Sequence, residues 1–128
     1  MDFNEMYEKA KNAANPQKLS DVVEVGGVAA ALLTDRENVY LGVCIDTACS
    51  MGFCAEHAAA AAMITAGEHI IRKVIAVDYE GKILPPCGRC REFLSQLSDD
   101  NMHAEVMLAD NVVVSLKELL PYDWRDAL

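Results

Sequence analysis

Two cysteine motifs, each where a helix is expected to begin, constrain this chain more than anything else in it. The first lies in GFCAEHAAAAAM, Gly52 to Met63. There Cys54 and Glu56 stand at the mouth of an alanine-rich run that predicts a helix from about Cys54 to Ala66, stopped by Gly67. The second is PCGRC, Pro86 to Cys90, opening a helix expected from about Gly88 to Leu97. Helix N-termini present unpaired N–H groups and a partial positive charge, which favour thiolates, the form of cysteine that binds metal. Two such termini brought together would hold Cys54, Cys87 and Cys90 around one ion, and three thiolates suit Zn2+. Three protein ligands instead of four leave a position for water, the mark of a catalytic zinc. Glu56 then has a task, since hydrolysis at a metal still needs a group that moves protons. Residues at i and i+2 do not share a helix face. Cys54 is therefore expected at the very edge of its helix, where the backbone can aim both side chains inward.

Around these motifs the chain predicts an alternation of helices and strands. Met1 to Asn15 reads as a helix, with Phe3, Met6, Tyr7 and Ala10 on one stripe, and Pro16 follows its end. EVGGVAAALLT, ending at Thr34, reads as a buried strand whose two glycines signal a bulge or a close backbone approach. DREN is turn chemistry, and VYLGVCI, Val39 to Ile45, returns as the partner of a hairpin. Further strands are expected at Arg72 to Tyr79, Ala104 to Ala109 and NVVVS. Ser115 with Glu118 forms a capping box before a last short helix. The predicted architecture is one α/β domain over residues 1–128, with helices on both faces of a mixed sheet of about five strands, a three-layer α/β/α arrangement.

Composition narrows the function classes. The 128 residues carry a formal net charge of −9, which argues against an electrostatic grip on nucleic acid or an anionic membrane. No apolar stretch approaches the 18 or so residues of a membrane span, and the start MDFNEMYEKAKNAAN has no apolar signal core. A cytoplasmic location is the expectation. In that reducing setting five cysteines, an odd number, point to metal or redox chemistry and away from a disulfide framework.

Cys54-Ala55-Glu56 followed by Pro86-Cys87-Gly88-Arg89-Cys90 resembles the signature of the zinc-dependent cytidine deaminase superfamily. The likeness is to its small nucleoside-acting branch, and it runs from about Val28 to Trp124, with AAALL, CAE, PCGRCRE and ELLP in family order. It implies that Cys54, Cys87 and Cys90 hold Zn2+ and that Glu56 shuttles the proton. It implies that Ala55 offers its backbone to a pyrimidine ring, and that backbone around Pro85 and Pro86 accepts from the leaving amino group. It implies a homotetramer, for which the five alanines Ala58 to Ala62 would allow close helix packing, as they would in a core. The substrate implied is a free cytosine nucleoside or an analogue, without nucleic acid or membrane as partner.

The chain departs from that pattern at the sugar. Members of this size usually carry Asn-x-Glu where this chain has Cys44-Ile45-Asp46, so Cys44 and Asp46 are the candidate substrate contacts there. An arginine that often follows the first motif is His57 here, a candidate donor to a metal-bound sulfur, as is Arg91. ILPPCGRCRE and ELLPYDW also resemble blasticidin S deaminase, where C-terminal aromatics close the pocket. Tyr122 and Trp124 are the candidates for that role, against the plainer reading of Trp124 as an apolar plug. Three alternatives stand beside this reading. Cys49 with Cys54, Cys87 and Cys90 would make a closed structural zinc site. CGRC alone would make a redox pair. A nucleic-acid-editing deaminase would need a basic groove that the charge does not supply.

Overall fold

A computed structural model describes residues 1–128. In chain order the elements are α1 (Phe3–Ala13), β1 (Gln17–Ser20), β2 (Val23–Thr34), β3 (Val39–Asp46), α2 (Ala55–Thr65), β4 (Ile71–Asp78), α3 (Gly88–Gln96), β5 (Glu105–Ala109) and β6 (Val112–Ser115), with short 3-10 turns between Asp99 and the C-terminus. The strands make one mixed sheet of six, ordered β1-β2-β4-β5-β6 with β3 along the other edge of β2. Only β4 and β5 run parallel, and α3 lies in the crossover between them.

The long apolar run of β2 is continuous because both faces of the sheet are covered. Ala29, Ala31 and Leu33 point with Ile75 and Val77 of β4 toward Met6 and Ala10 of α1. The alternate residues, Ala30 and Leu32 with Val74 and Ala76, pack against Ala59, Ala60 and Met63 of α2 and Leu94 of α3. The three-layer architecture is thus as expected. α1 begins at Asp2, whose side chain accepts from the Glu5 N–H at 2.9 Å.

Glycines decide two backbone approaches. At Gly26, φ is +84° and its carbonyl accepts from the Asn15 N–H at 2.8 Å. Here the β2–β3 register breaks between Val25↔Ile45 and Ala29↔Val43, so bulge and close approach coincide. At Gly42 of β3, a Cβ would stand 2.2 Å from the Ala59 nitrogen, because α2 lies directly on the strand. The small residues of both elements allow this, and it brings the N-terminus of α2 onto the end of β3.

Two expectations are corrected. β1 is a sixth strand: its residues are all exposed and lack alternation, so no periodic signal announced it, and only pairing with the start of β2 makes it a strand. The Ser115 hydroxyl does accept from the Glu118 N–H at 3.2 Å, but the segment it opens is a three-residue 3-10 helix, Lys117–Leu119, and not an α-helix. No helix of the chain is long and apolar enough to cross a membrane.

Candidate active site

Cys54 and Cys87 occupy equivalent places. Each is the residue just before a helix, with extended backbone (φ −73°, ψ 160° and φ −68°, ψ 167°), and neither uses its side chain as a cap. Their sulfurs are free to meet, and do so at 3.6 Å. Cys90, one turn into α3 and fully buried, has its sulfur 3.6 Å from that of Cys87. Cys90 and Cys54 also present their sulfurs within 4.8 Å of each other and of the His57 ring nitrogen. Sulfurs on a tetrahedral zinc, with Zn–S near 2.3 Å, are held about 3.8 Å apart, so the spacing of this triangle suits that ion.

The electrostatics differ among the three, and the helix N-terminus favours a thiolate at Cys87 alone. Burial works against a thiolate at Cys87, yet the N–H groups of Cys90 and Arg89 and the neighbouring thiols outweigh it and lower its pKa. Cys54 is pushed up by burial and by Cys87, and Cys90 far up by burial and the nearby Glu56 carboxylate. Three thiols in contact oppose one another's ionisation, and a divalent cation among them removes that opposition. The donor set fits zinc.

Glu56 is the second residue of α2 and only 5% exposed. Burial holds its carboxyl above the usual carboxylate range; its own backbone N–H and the Cys90 thiol pull the other way without cancelling this. A carboxyl whose proton is held more tightly than usual is better suited to take one up and return it. The extended backbone at Cys54 is what lets residues 54 and 56 face one point, as the spacing required.

These groups form the end of a cavity of about 430 Å³, within the roughly 300–1,000 Å³ typical of small-molecule sites. Cys44, Asp46, Cys54, Ala55, Glu56 and Cys87 all line it. Cys44 sits opposite the β2 bulge, and its sulfur accepts from the Val28 N–H at 3.4 Å. Three expected contacts are not at the cavity. Pro86 is buried with its carbonyl accepting from Arg91 Nε at 2.8 Å, and Pro85 lines the cavity in its place. Trp124 is held on α3: its indole N–H donates to Glu92 at 3.0 Å, and the Arg125 guanidinium lies 5.4 Å from its ring centre. Tyr122 is fully exposed.

The structure adds Phe53 and Arg89 to the cavity wall. Phe53 is placed there by backbone pairing with Ile45 (2.9 and 3.0 Å). Its position beside the first cysteine was the one sequence signal available. Cys49 is exposed and stands outside the sulfur cluster.

The fold has counterparts among solved structures, and the chain is similar to several cytidine deaminases. It superposes on cytidine deaminase from Mycobacterium tuberculosis with a TM-score of 0.80 at 27% identity, over 97% of this chain and 98% of that one. The cytidine deaminase from Burkholderia pseudomallei gives 0.78 at 26% identity, over 97% and 100%. That from Bacillus anthracis gives 0.75 at 25% identity, over 97% and 90%. No protein-family model matches the chain. The fold, with a Cys54, His57 and Cys90 group whose ligand atoms lie close enough to hold a metal ion, defines the class, that of the deaminase hydrolases. Within it the chain is similar in fold and cysteine cluster to the cytidine deaminases.

Proposed function

We propose that the protein deaminates a free cytosine nucleoside, cytidine, deoxycytidine or an analogue, to the uracil counterpart with release of ammonia. The observation that carries this is a buried carboxyl, Glu56, at the end of a nucleoside-sized cavity beside three clustered cysteines, Cys87 with its sulfur 3.6 Å from those of both Cys54 and Cys90. Cys54, Cys87 and Cys90 would hold Zn2+, whose Lewis acidity lets water act as a nucleophile near neutral pH. Ala55 and Pro85 offer backbone groups to the ring and its amino substituent. Phe53 offers an apolar face, and Cys44 with Asp46 meets the sugar. Glu56 takes one proton of the attacking water and delivers it to the ring nitrogen N3, then takes the proton of the new C4 hydroxyl and passes it to the departing amine, so that the carbonyl forms as ammonia leaves. Water and the amino compound enter; the oxo compound and ammonia leave.

The reading is supported by the cytidine deaminases that share this fold and by the raised affinity of Glu56 for its proton. Its test is ammonia release from cytidine, deoxycytidine, cytosine, blasticidin S and modified cytosines, by the wild type and by Glu56→Gln. Release by the wild type, with zinc retained and turnover lost in the variant, is expected; near-normal turnover in the variant would overturn the role of Glu56. A blasticidin S-type substrate is the second reading, favoured by Cys44 standing where an amide is usual. Blasticidin S turned over faster than cytidine would select it. A homotetramer in the cytoplasm belongs to the same proposal. The outer side of α2 exposes Ala61, Ala62 and Ile64, an apolar face that suits a second copy. A solution mass four times the 14.0 kDa chain is expected by light scattering.

A further inference from the structure

His57 and Phe93 are on different helices yet lie face to face, with ring centres 4.2 Å apart and planes 11° from parallel. His57 is the third residue of α2 and Phe93 the sixth of α3. The edge of the same imidazole meets the Cys90 sulfur, with Nδ1 at 3.3 Å. One ring is therefore fixed in plane by an aromatic partner and in direction by a sulfur. Both contacts join the two helices that carry the cysteine motifs. A lone imidazole turns about its side-chain bonds, but a ring stacked on a neighbour does not turn without losing the stack.

We propose that Phe93 is a positioning residue for the metal centre. Its ring sets the plane of His57 so that Nδ1 faces Cys90, and the pair presets the Cys90 sulfur and the spacing of the α2 and α3 N-termini before an ion arrives. Phe93 does this through His57, without being among the residues that line the cavity. Groups of this kind, which orient ligands without binding the ion, alter metal affinity by about 10- to 100-fold. The inference rests on the proposed zinc site, and the tautomer with hydrogen on Nδ1 is the one it requires.

The test measures zinc loss to a chromogenic chelator and the thiolate charge-transfer band of the Co2+-substituted protein. The proteins are the wild type, Phe93→Leu, Phe93→Tyr, His57→Ala and the double variant Phe93→Leu/His57→Ala. Zinc should leave Phe93→Leu roughly 10-fold faster with a shifted cobalt band, and Phe93→Tyr, which keeps the stack, should restore both. The double variant should lose zinc no faster than His57→Ala alone, because Phe93 acts through that ring. Additive effects in the double variant, or wild-type kinetics in Phe93→Leu, would overturn the positioning role while leaving the zinc site in place. A wild-type protein that takes up no zinc or cobalt would overturn the proposed function first, and this inference with it.

Discussion

Replacing Gly42 by alanine tests the link between packing and chemistry directly. A Cβ at this position would stand 2.2 Å from the Ala59 nitrogen, 2.6 Å from the Ala58 carbonyl carbon and 2.7 Å from the Ala55 oxygen. All three are backbone atoms of α2, so no side chain can swing away. Ordinary contact begins near 3.4 Å, so helix and strand must part by about 1.2 Å. Gly42 is not among the glycines with positive φ, so the whole cost is steric, on the order of 1–3 kcal/mol for overpacking. The displaced helix carries Cys54 and Glu56, and a shift of about 1 Å in catalytic groups costs roughly 10²-fold in rate. Urea denaturation should show the stability loss, and ammonia release should fall about 100-fold in the same preparation. Gly27→Ala is the control for stability, since a Cβ there meets nothing within 4 Å. A Gly42→Ala protein with wild-type stability and turnover would refute the reasoning, because it would mean that α2 does not rest on β3.

Three more outcomes are expected. Cys54→Ser should lose tightly bound zinc while Cys49→Ser keeps it, as metal analysis of the purified proteins will read; zinc lost in Cys49→Ser would favour the closed four-cysteine site. Asn101 is fully buried; it accepts from the Ile71 N–H at 2.7 Å and donates to the His69 and Leu94 carbonyls at 3.1 and 3.0 Å. Asn101→Leu should therefore cost about 3 kcal/mol by chemical denaturation, near 1 kcal/mol for each bond lost. Hydrogen bonds from Tyr40 and Asn38 hold the Glu68 carboxyl below the usual carboxylate range against the opposing effect of burial. The stability it contributes is present above the ordinary value of about 4.3 and is lost as pH falls through the lower folded value. Thermal midpoints should thus drop more steeply on acidification in the wild type than in Glu68→Gln, and parallel curves would refute this.

The sequence by itself determined the candidate site and the layers. Cys54, Glu56, Cys87 and Cys90 were legible as a candidate cluster because metal ligands and proton-transfer groups recur as particular residue types at short spacings, and spacing is a local property. The helices and five of the strands were legible because hydrophobic period is local too. The double-sided burial of β2 was written in its unbroken apolar run. Tertiary structure alone decided the rest. β1 has no periodic signal and exists through pairing with a neighbouring strand. Phe53 and Arg89 reach the cavity, while Pro86 turns its carbonyl to Arg91 and Trp124 is held on α3 by Glu92. The stacking of His57 on Phe93 joins residues that no sequence pattern pairs. A cavity wall is a set of surfaces brought together from separate elements. Which side chain faces it depends on register, bulges and helix contacts, such as the approach of α2 to Gly42, that exist only once the chain has packed.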